Sequence, residues 1–292
     1  MPNHVTNILT INGKEEEVKR LFETIKGEDR EIDFEKIIPM PQSMNITSGS
    51  QTDTGLAIIL FKERGDGSKL KPMLEYPWVK AENIKTLDEL ADFLIENGRA
   101  NLEEGKIALD NLEEHNHKDW YSWSIANWGT KWNAYDIVVE SDNKIMFDTA
   151  WSTPYPVIEK LSRMFPELEI TLEFADEDFG YNCGIVIFLG GGSVSEDVPA
   201  GGSPEAYAVA AKVKGTDIDM LMHYVCDGED ESYITNMLNT ISEIFSMEEL
   251  VDEVENSGVE CSETFLETLK SFLIENEMYE LIGSVDKMLE EK

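Results

Sequence analysis

The chain has 292 residues, with 59 aspartates and glutamates against 24 lysines and arginines, a formal net charge of −35. Such a surface excludes an ordinary nucleic-acid phosphate binder, which needs cationic side chains to displace counterions. Hydrophobic residues at 41% and aromatics at 9% exclude a disordered acidic chain and can fill one large domain or two ordinary ones.

The start, Met1-Pro2-Asn3-His4-Val5-Thr6-Asn7, has no basic stretch ahead of an apolar run. No apolar run anywhere approaches the roughly 18 residues of a membrane span, so the expectation is a cytoplasmic protein with no membrane association. Val5, Ile8, Leu9 and Ile11 read as a strand ending at Asn12-Gly13, and Val18, Leu21, Phe22 and Ile25 follow at helical spacing. Thr86 to Glu89 matches a capping box for a helix closed by Asn97-Gly98, and a more polar helix runs from Leu102 to about Glu114. Together they form a helical insert at about 80–120. Residues 135–139 and 144–147 flank Ser141-Asp142-Asn143 as a hairpin, Val157, Ile158, Leu161 and Phe165 mark a helix, and Leu168, Ile170, Leu172 and Phe174 alternate as a strand. With Gly184 to Leu189 as its partner, the order is β-α-insert-β-β-α-β-β. This predicts an α+β fold of ferredoxin-like type, an antiparallel sheet with helices on one face.

The Gly-, Ser- and Pro-rich stretch from Gly190 to Pro204 reads as a flexible connection, which sets the expected domains at 1–192 and 203–292. Residues 203–292 hold 22 acidic and 5 basic side chains and read as a small all-α domain. Its stripes are Met237, Leu238, Ile241, Ile244 and Phe245; then Phe265, Leu266, Leu269, Phe272 and Leu273 after a capping box at Thr264 to Glu267; then Leu281, Ile282, Val285, Met288 and Leu289.

Catalytic templates are missing. Gly190-Gly191-Gly192-Ser193 lacks the Gly-Lys-Ser/Thr ending of a phosphate loop, and no Gly-x-Ser-x-Gly or His-Glu-x-x-His occurs. Cys183, Cys226 and Cys261 are too few and too dispersed for a disulfide framework, zinc knuckle or iron-sulfur cluster and read as reduced thiols. Asp176, Glu177 and Asp178 read as a solvated hairpin tip. No catalytic residue, metal or cofactor is assigned.

Four of the six tryptophans lie between Trp120 and Trp132. Such rings most simply fill a core, and they also suit stacking on a planar ligand. The same region carries a resemblance. Met1-Pro2-Asn3-His4-Val5-Thr6-Asn7, Asn127-Trp128-Gly129-Thr130-Lys131-Trp132-Asn133-Ala134, Phe147 to Pro154, Pro156 to Glu159, Phe165-Pro166 and the segments Ala175 to Asp178 and Gly180 to Gly184 resemble the YubB-like ferredoxin-like family of phage, plasmid and gut-bacterial proteins over residues 1 to about 190. His4 stands where many of those relatives carry Trp. The resemblance implies a ferredoxin-like fold, a mobile-element origin and, for a phage-encoded protein, residence in the host cytosol. It transfers no activity and does not reach the acidic helical part.

Two functions follow. In the first, the chain is a non-enzymatic interaction protein of a mobile element whose acidic faces at Glu229, Asp230, Glu231, Glu248, Glu249, Asp252, Glu253 and Glu255 imitate nucleic acid and occupy the basic groove of a host protein. Direct nucleic-acid binding is not expected. In the second, Trp128, Lys131, Trp132, Asn133, Asp148 and Trp151 converge as a small-ligand or catalytic site.

Overall fold

The structure, a computed structural model, describes residues 3–215, 218–256 and 259–292. In chain order it contains β1 (His4–Asn12) and α1 (Glu15–Ile25), then α2 (Ser50–Arg64), α3 (Pro77–Ala81), α4 (Leu87–Glu96), α5 (Leu102–His115) and α6 (Trp120–Asn127). There follow β2 (Tyr135–Ser141), β3 (Lys144–Ala150), α7 (Tyr155–Met164), β4 (Glu169–Asp176), β5 (Gly184–Leu189) and β6 (Gly192–Asp197). The C-terminal helices are α8 (Pro204–Lys214), α9 (Ile218–Val225), α10 (Glu231–Ile244), α11 (Met247–Asn256), α12 (Glu263–Glu275) and α13 (Ile282–Glu290). The chain forms two compact units, one of Met1–Ile32, Ala134–Thr153 and Ile158–Lys292, the other of Asp33–Asn133 and Pro154–Val157.

The first unit holds a six-stranded antiparallel sheet in the order β2-β3-β1-β4-β5-β6. Its first four strands have the ferredoxin-like arrangement expected, with β1 central between β3 and β4. Alternation along β1 explains that position. Val5, Asn7, Leu9 and Ile11 point to one face and are all buried, while Ile8 points to the other and joins a second core. Asn7 is tolerated at 0% exposure because its Nδ2 donates to the Thr149 hydroxyl at 2.9 Å and to the Val5 carbonyl at 2.8 Å, while its Oδ1 accepts from Thr153 Oγ1 at 2.7 Å.

The second face of the sheet is covered too. Ala206, Ala210 and Ala211 of α8 are small enough to lie close to the strands, and with Val209 and Val213 they share one core with Ile8 and Ala175. Ser203 caps α8 by accepting from the Ala206 N–H, Pro204 occupies its first turn, and Gly215 ends it at φ +63°. The same core continues through Met237, Leu238, Ile241, Leu250, Phe265, Leu269 and Leu273, each worth roughly 1.5–3 kcal/mol when fully buried.

Two expectations are thereby corrected. The stretch after Gly190 is not a connection: Gly192–Asp197 is strand β6, paired with β5 from Leu189↔Gly192 to Ile185↔Asp197. The division of the chain does not fall between 192 and 203 either, because α8 must bury its apolar side on the sheet, and residues 203–292 therefore belong to the sheet-bearing unit. The insert, expected at about 80–120, spans Asp33–Asn133. A smaller correction concerns α12, which is capped by Ser262 accepting from Phe265 N–H at 3.0 Å rather than at Thr264; Ser262 is also held by donating to the Gly228 carbonyl at 2.6 Å.

Within the second unit, α2 and α5 cross at glycines. A Cβ on Gly55 would lie 1.9 Å from the Asn101 carbonyl oxygen, and one on Gly105 would lie 2.4 Å from the Gly55 backbone. Only hydrogen fits there, which lets Leu56 and Ile59 meet Ala108 and Leu109. The capping box at Thr86 and Glu89 forms as expected.

Candidate functional site

The eight acidic residues singled out from sequence belong to α10, α11 and the turn before them. Glu229, Asp230, Glu231, Glu248, Glu249, Asp252 and Glu255 are exposed and Glu253 is half-buried. The amphipathic spacing explains this, since Met247, Leu250, Val251 and Val254 turn α11 inward. Some of these carboxylates also serve the fold. Asp230 caps α10 by accepting from Tyr233 N–H, Glu249 accepts from the Ser246 N–H and hydroxyl, and Lys287 pairs with Glu255 at 3.0 Å and holds that carboxyl below its ordinary range. Glu248, Glu249, Asp252 and Glu255 line a groove of about 410 Å³ that Leu281 and Ser284 complete. A concave surface of this sign concentrates field on a cationic side chain entering it.

Of the six residues considered as a ligand site, Trp128, Lys131, Trp132 and Asn133 lie in the insert unit, whereas Asp148 and Trp151 lie in the sheet-bearing unit. Trp128 is 4% exposed, donates from Nε1 to the Ile38 carbonyl at 2.9 Å and meets Phe34 and Trp123 edge to face. Asn133 donates to Asp33 Oδ1 at 2.7 Å and accepts from Phe34 N–H at 2.9 Å, so it fastens the two ends of the insert together. Lys131 Nζ lies 4.4 Å over the Trp132 ring.

Asp148 and Trp151 stand at one end of the sheet. Asp148 is opposite Thr6, whose hydroxyl meets Lys214 Nζ at 3.1 Å. Burial pulls the Lys214 ammonium below its ordinary pKa, against the opposing pull of Asp148, Asp176 and Glu177. Trp151 has φ +74°, a strained conformation for a bulky residue; its N–H donates to the Asn3 carbonyl, its carbonyl accepts from Asn182, and the residue is 41% exposed. Asp176 is no solvated hairpin tip. It is 4% exposed and accepts from Asn3 Nδ2, Asn182 Nδ2 and Asp178 N–H at 2.8–3.0 Å, which fixes the turn after β4.

A groove of about 640 Å³ between α1 and the β2–β3 hairpin was not legible in sequence, because no motif joins its walls. Ile11, Val18, Phe22 and Val139 supply its apolar lining, and Lys19, Lys26, Glu15, Glu23, Glu31 and Asp142 supply its charged lining. The buried Cys183 thiol donates to the Ala206 carbonyl and is pushed up to about 11 by burial, so it is a packing residue and a poor nucleophile. Among the described residues no group of three or more His, Cys, Asp or Glu side chains could hold a metal ion, and no helix is long and apolar enough to cross a membrane.

Residues 127–219 match the family described as the ferredoxin-like domain in Api92-like protein. That range runs from the end of α6 through β6 and α8. A crystal structure of the protein api92 from Yersinia pseudotuberculosis is similar at 11% identity and a TM-score of 0.31, covering 69% of this chain and 99% of that one. No curated protein matches.

Proposed function

We propose that the chain is a non-enzymatic interaction protein that binds a cationic partner through the acidic outer faces of its C-terminal helices. The observation that carries this reading is the lopsided charge of that surface: between Arg163 and Lys270 the only lysines or arginines are Lys212 and Lys214. Association is then driven by complementary potential, falls steeply with salt, and selects partners that carry a basic groove. In the narrower form of the proposal, the chain is a YubB-like protein of a phage or other mobile element. It acts in the host cytosol, where its carboxylates imitate a nucleic-acid backbone and occupy a host nucleic-acid-binding protein, including one of defence.

The competing reading as a small-ligand or catalytic module has less support. Trp128 and Asn133 are already engaged in holding the insert together.

The test is capture from host lysate on the immobilised chain at low salt, followed by competition with duplex DNA and with RNA. Release of an identified nucleic-acid-binding protein by either competitor is the expected result. Retention of nothing that nucleic acid displaces would overturn mimicry.

A further inference from the structure

One part of the sheet-bearing unit gathers aromatic rings beyond what a core requires. Phe179 and Tyr181 lie in the turn after β4, Tyr207 in α8, Tyr224 in α9 and Tyr233 in α10. The ring centroids of Phe179, Tyr207 and Tyr224 form a triangle with sides of 5.9, 5.7 and 4.5 Å, with planes 23–32° apart. Phe179 and Tyr207 are buried, but Tyr224 is 39% and Tyr181 46% exposed. Glycines make the assembly fit: a Cβ on Gly180 would lie 2.3 Å from the Tyr207 ring, and one on Gly201 would lie 2.5 Å from the Tyr181 ring. Burial, reinforced by Tyr233, Tyr181, Tyr224 and Asp178, pushes the Tyr207 phenol up to about 12.

The surroundings of these rings are anionic. Asp178 sits in the same turn as Tyr181, and Asp230, which accepts from Tyr233 N–H at 3.0 Å, is flanked by the exposed Glu229 and Glu231. The two cations of α8 have partners of their own, Lys212 pairing with Glu173 at 2.5 Å and Lys214 meeting Thr6 and feeling Asp148, Asp176 and Glu177. Aromatic faces attract cations, and a guanidinium does so best because it is planar, weakly hydrated and able to pair with carboxylates at its edge. A second copy of this chain is a poor occupant, since its own charge of −35 opposes the approach.

We propose that Tyr224, stacked on Phe179 and Tyr207, and the exposed Tyr181 in the same turn as Phe179 and Asp178, on a unit whose α10 is preceded by Glu229 and Asp230, dock arginine side chains from a basic segment of a partner protein. This rests on the reading of the chain as a binder of cationic proteins, and adds where the partner is held and which of its residues is selected.

The probes are labelled oligo-arginine and oligo-lysine peptides of equal length, titrated against the full chain at low ionic strength. Oligo-arginine is expected to bind about fivefold more tightly. Tyr181→Ala combined with Tyr224→Ala should erase that preference, and phenylalanine at both positions should retain it, with thermal melts confirming that each variant folds. Equal binding of the two peptides to the unaltered chain, or a preference that survives in the alanine variant, overturns the tyrosine surface and leaves the acidic reading intact. Failure of both peptides to bind overturns the acidic reading and this inference with it.

Discussion

The insert Asp33–Asn133 carries 17 acidic and 11 basic side chains, whereas the shorter stretch 203–292 carries 22 and 5. In the insert the cations are spread among the acids: Lys62 reaches Asp88 and Asp92, Lys106 reaches Glu63 and Asp110, Lys80 meets Glu75, Arg64 meets Glu113 and Lys118 meets Asp53. The C-terminal helices have fewer such partners, among them Lys270 with Asp286 and Lys287 with Glu255. Exposed pairs of either kind contribute little individually, about 0–1 kcal/mol. What differs is the far field. The insert screens itself locally, while the C-terminal surface projects its charge outward.

That contrast is open to direct attack. The largest effect should come from Gly105→Val, which drives a side chain into the α2 backbone and destabilises the insert by about 3 kcal/mol or more. Five of the six tryptophans lie in the insert, so urea unfolding followed by fluorescence should lose its stability there while far-UV circular dichroism retains a later transition from the sheet-bearing unit. On the other side, Asn7→Leu takes away the acceptor of the Thr153 hydroxyl and the donor to Thr149, whose hydroxyl keeps the Ser152 carbonyl, and should lower the stability of the sheet by about 1–3 kcal/mol in the same experiment.

A third variant tests charge itself. Glu248→Gln with Asp252→Asn should stabilise the C-terminal helices by up to about 1 kcal/mol at low salt. Near 1 M salt, where screening acts within about 3 Å, the gain should vanish. Hydrogen exchange over 247–256 would report it, with no matching change in the insert. The smallest effect concerns Glu104, whose carboxylate accepts from Thr52 and Thr47 and is held below its ordinary value chiefly by the Thr52 hydroxyl. Since the folded value is depressed, the contribution is fully present above the ordinary glutamate value of 4.5 and is lost as pH falls through the lower folded value. Glu104→Gln should flatten that acid limb of the insert's stability by less than about 1 kcal/mol.

Strand β4 was readable from sequence because Leu168, Ile170, Leu172 and Phe174 alternate with Glu169, Thr171 and Glu173, although its second half is buried on both faces. Helix α2 was missed for a physical reason: Leu56, Ala57, Ile58 and Ile59 are consecutive buried residues, so the helix has no polar stripe to set a period. Strand β6 was missed because an edge strand with residues such as Val194 at 60% exposure has no apolar file to show. The tryptophan-rich segment drew attention by composition, yet much of its role is structural. The tyrosine surface went unnoticed because residues 181, 207, 224 and 233 come together only once the turn after β4 and three helices are assembled. Gly180, Gly201 and Gly202 were visible in sequence, but nothing there told which rings they make room for.

The fastening of the insert at its two ends has a consequence for how the chain can vary. Asn133 grips Asp33, and three residues before that aspartate, Arg30 donates to the Ala134 carbonyl at 3.4 Å. Entry and exit of a hundred-residue excursion therefore meet at a doorway a few ångströms wide. Along the chain, such an excursion stands where a short turn between α1 and β2 would suffice. Because Pro154–Val157 belongs to the same unit, any exchange of its contents has to keep that segment's packing as well as the shut doorway.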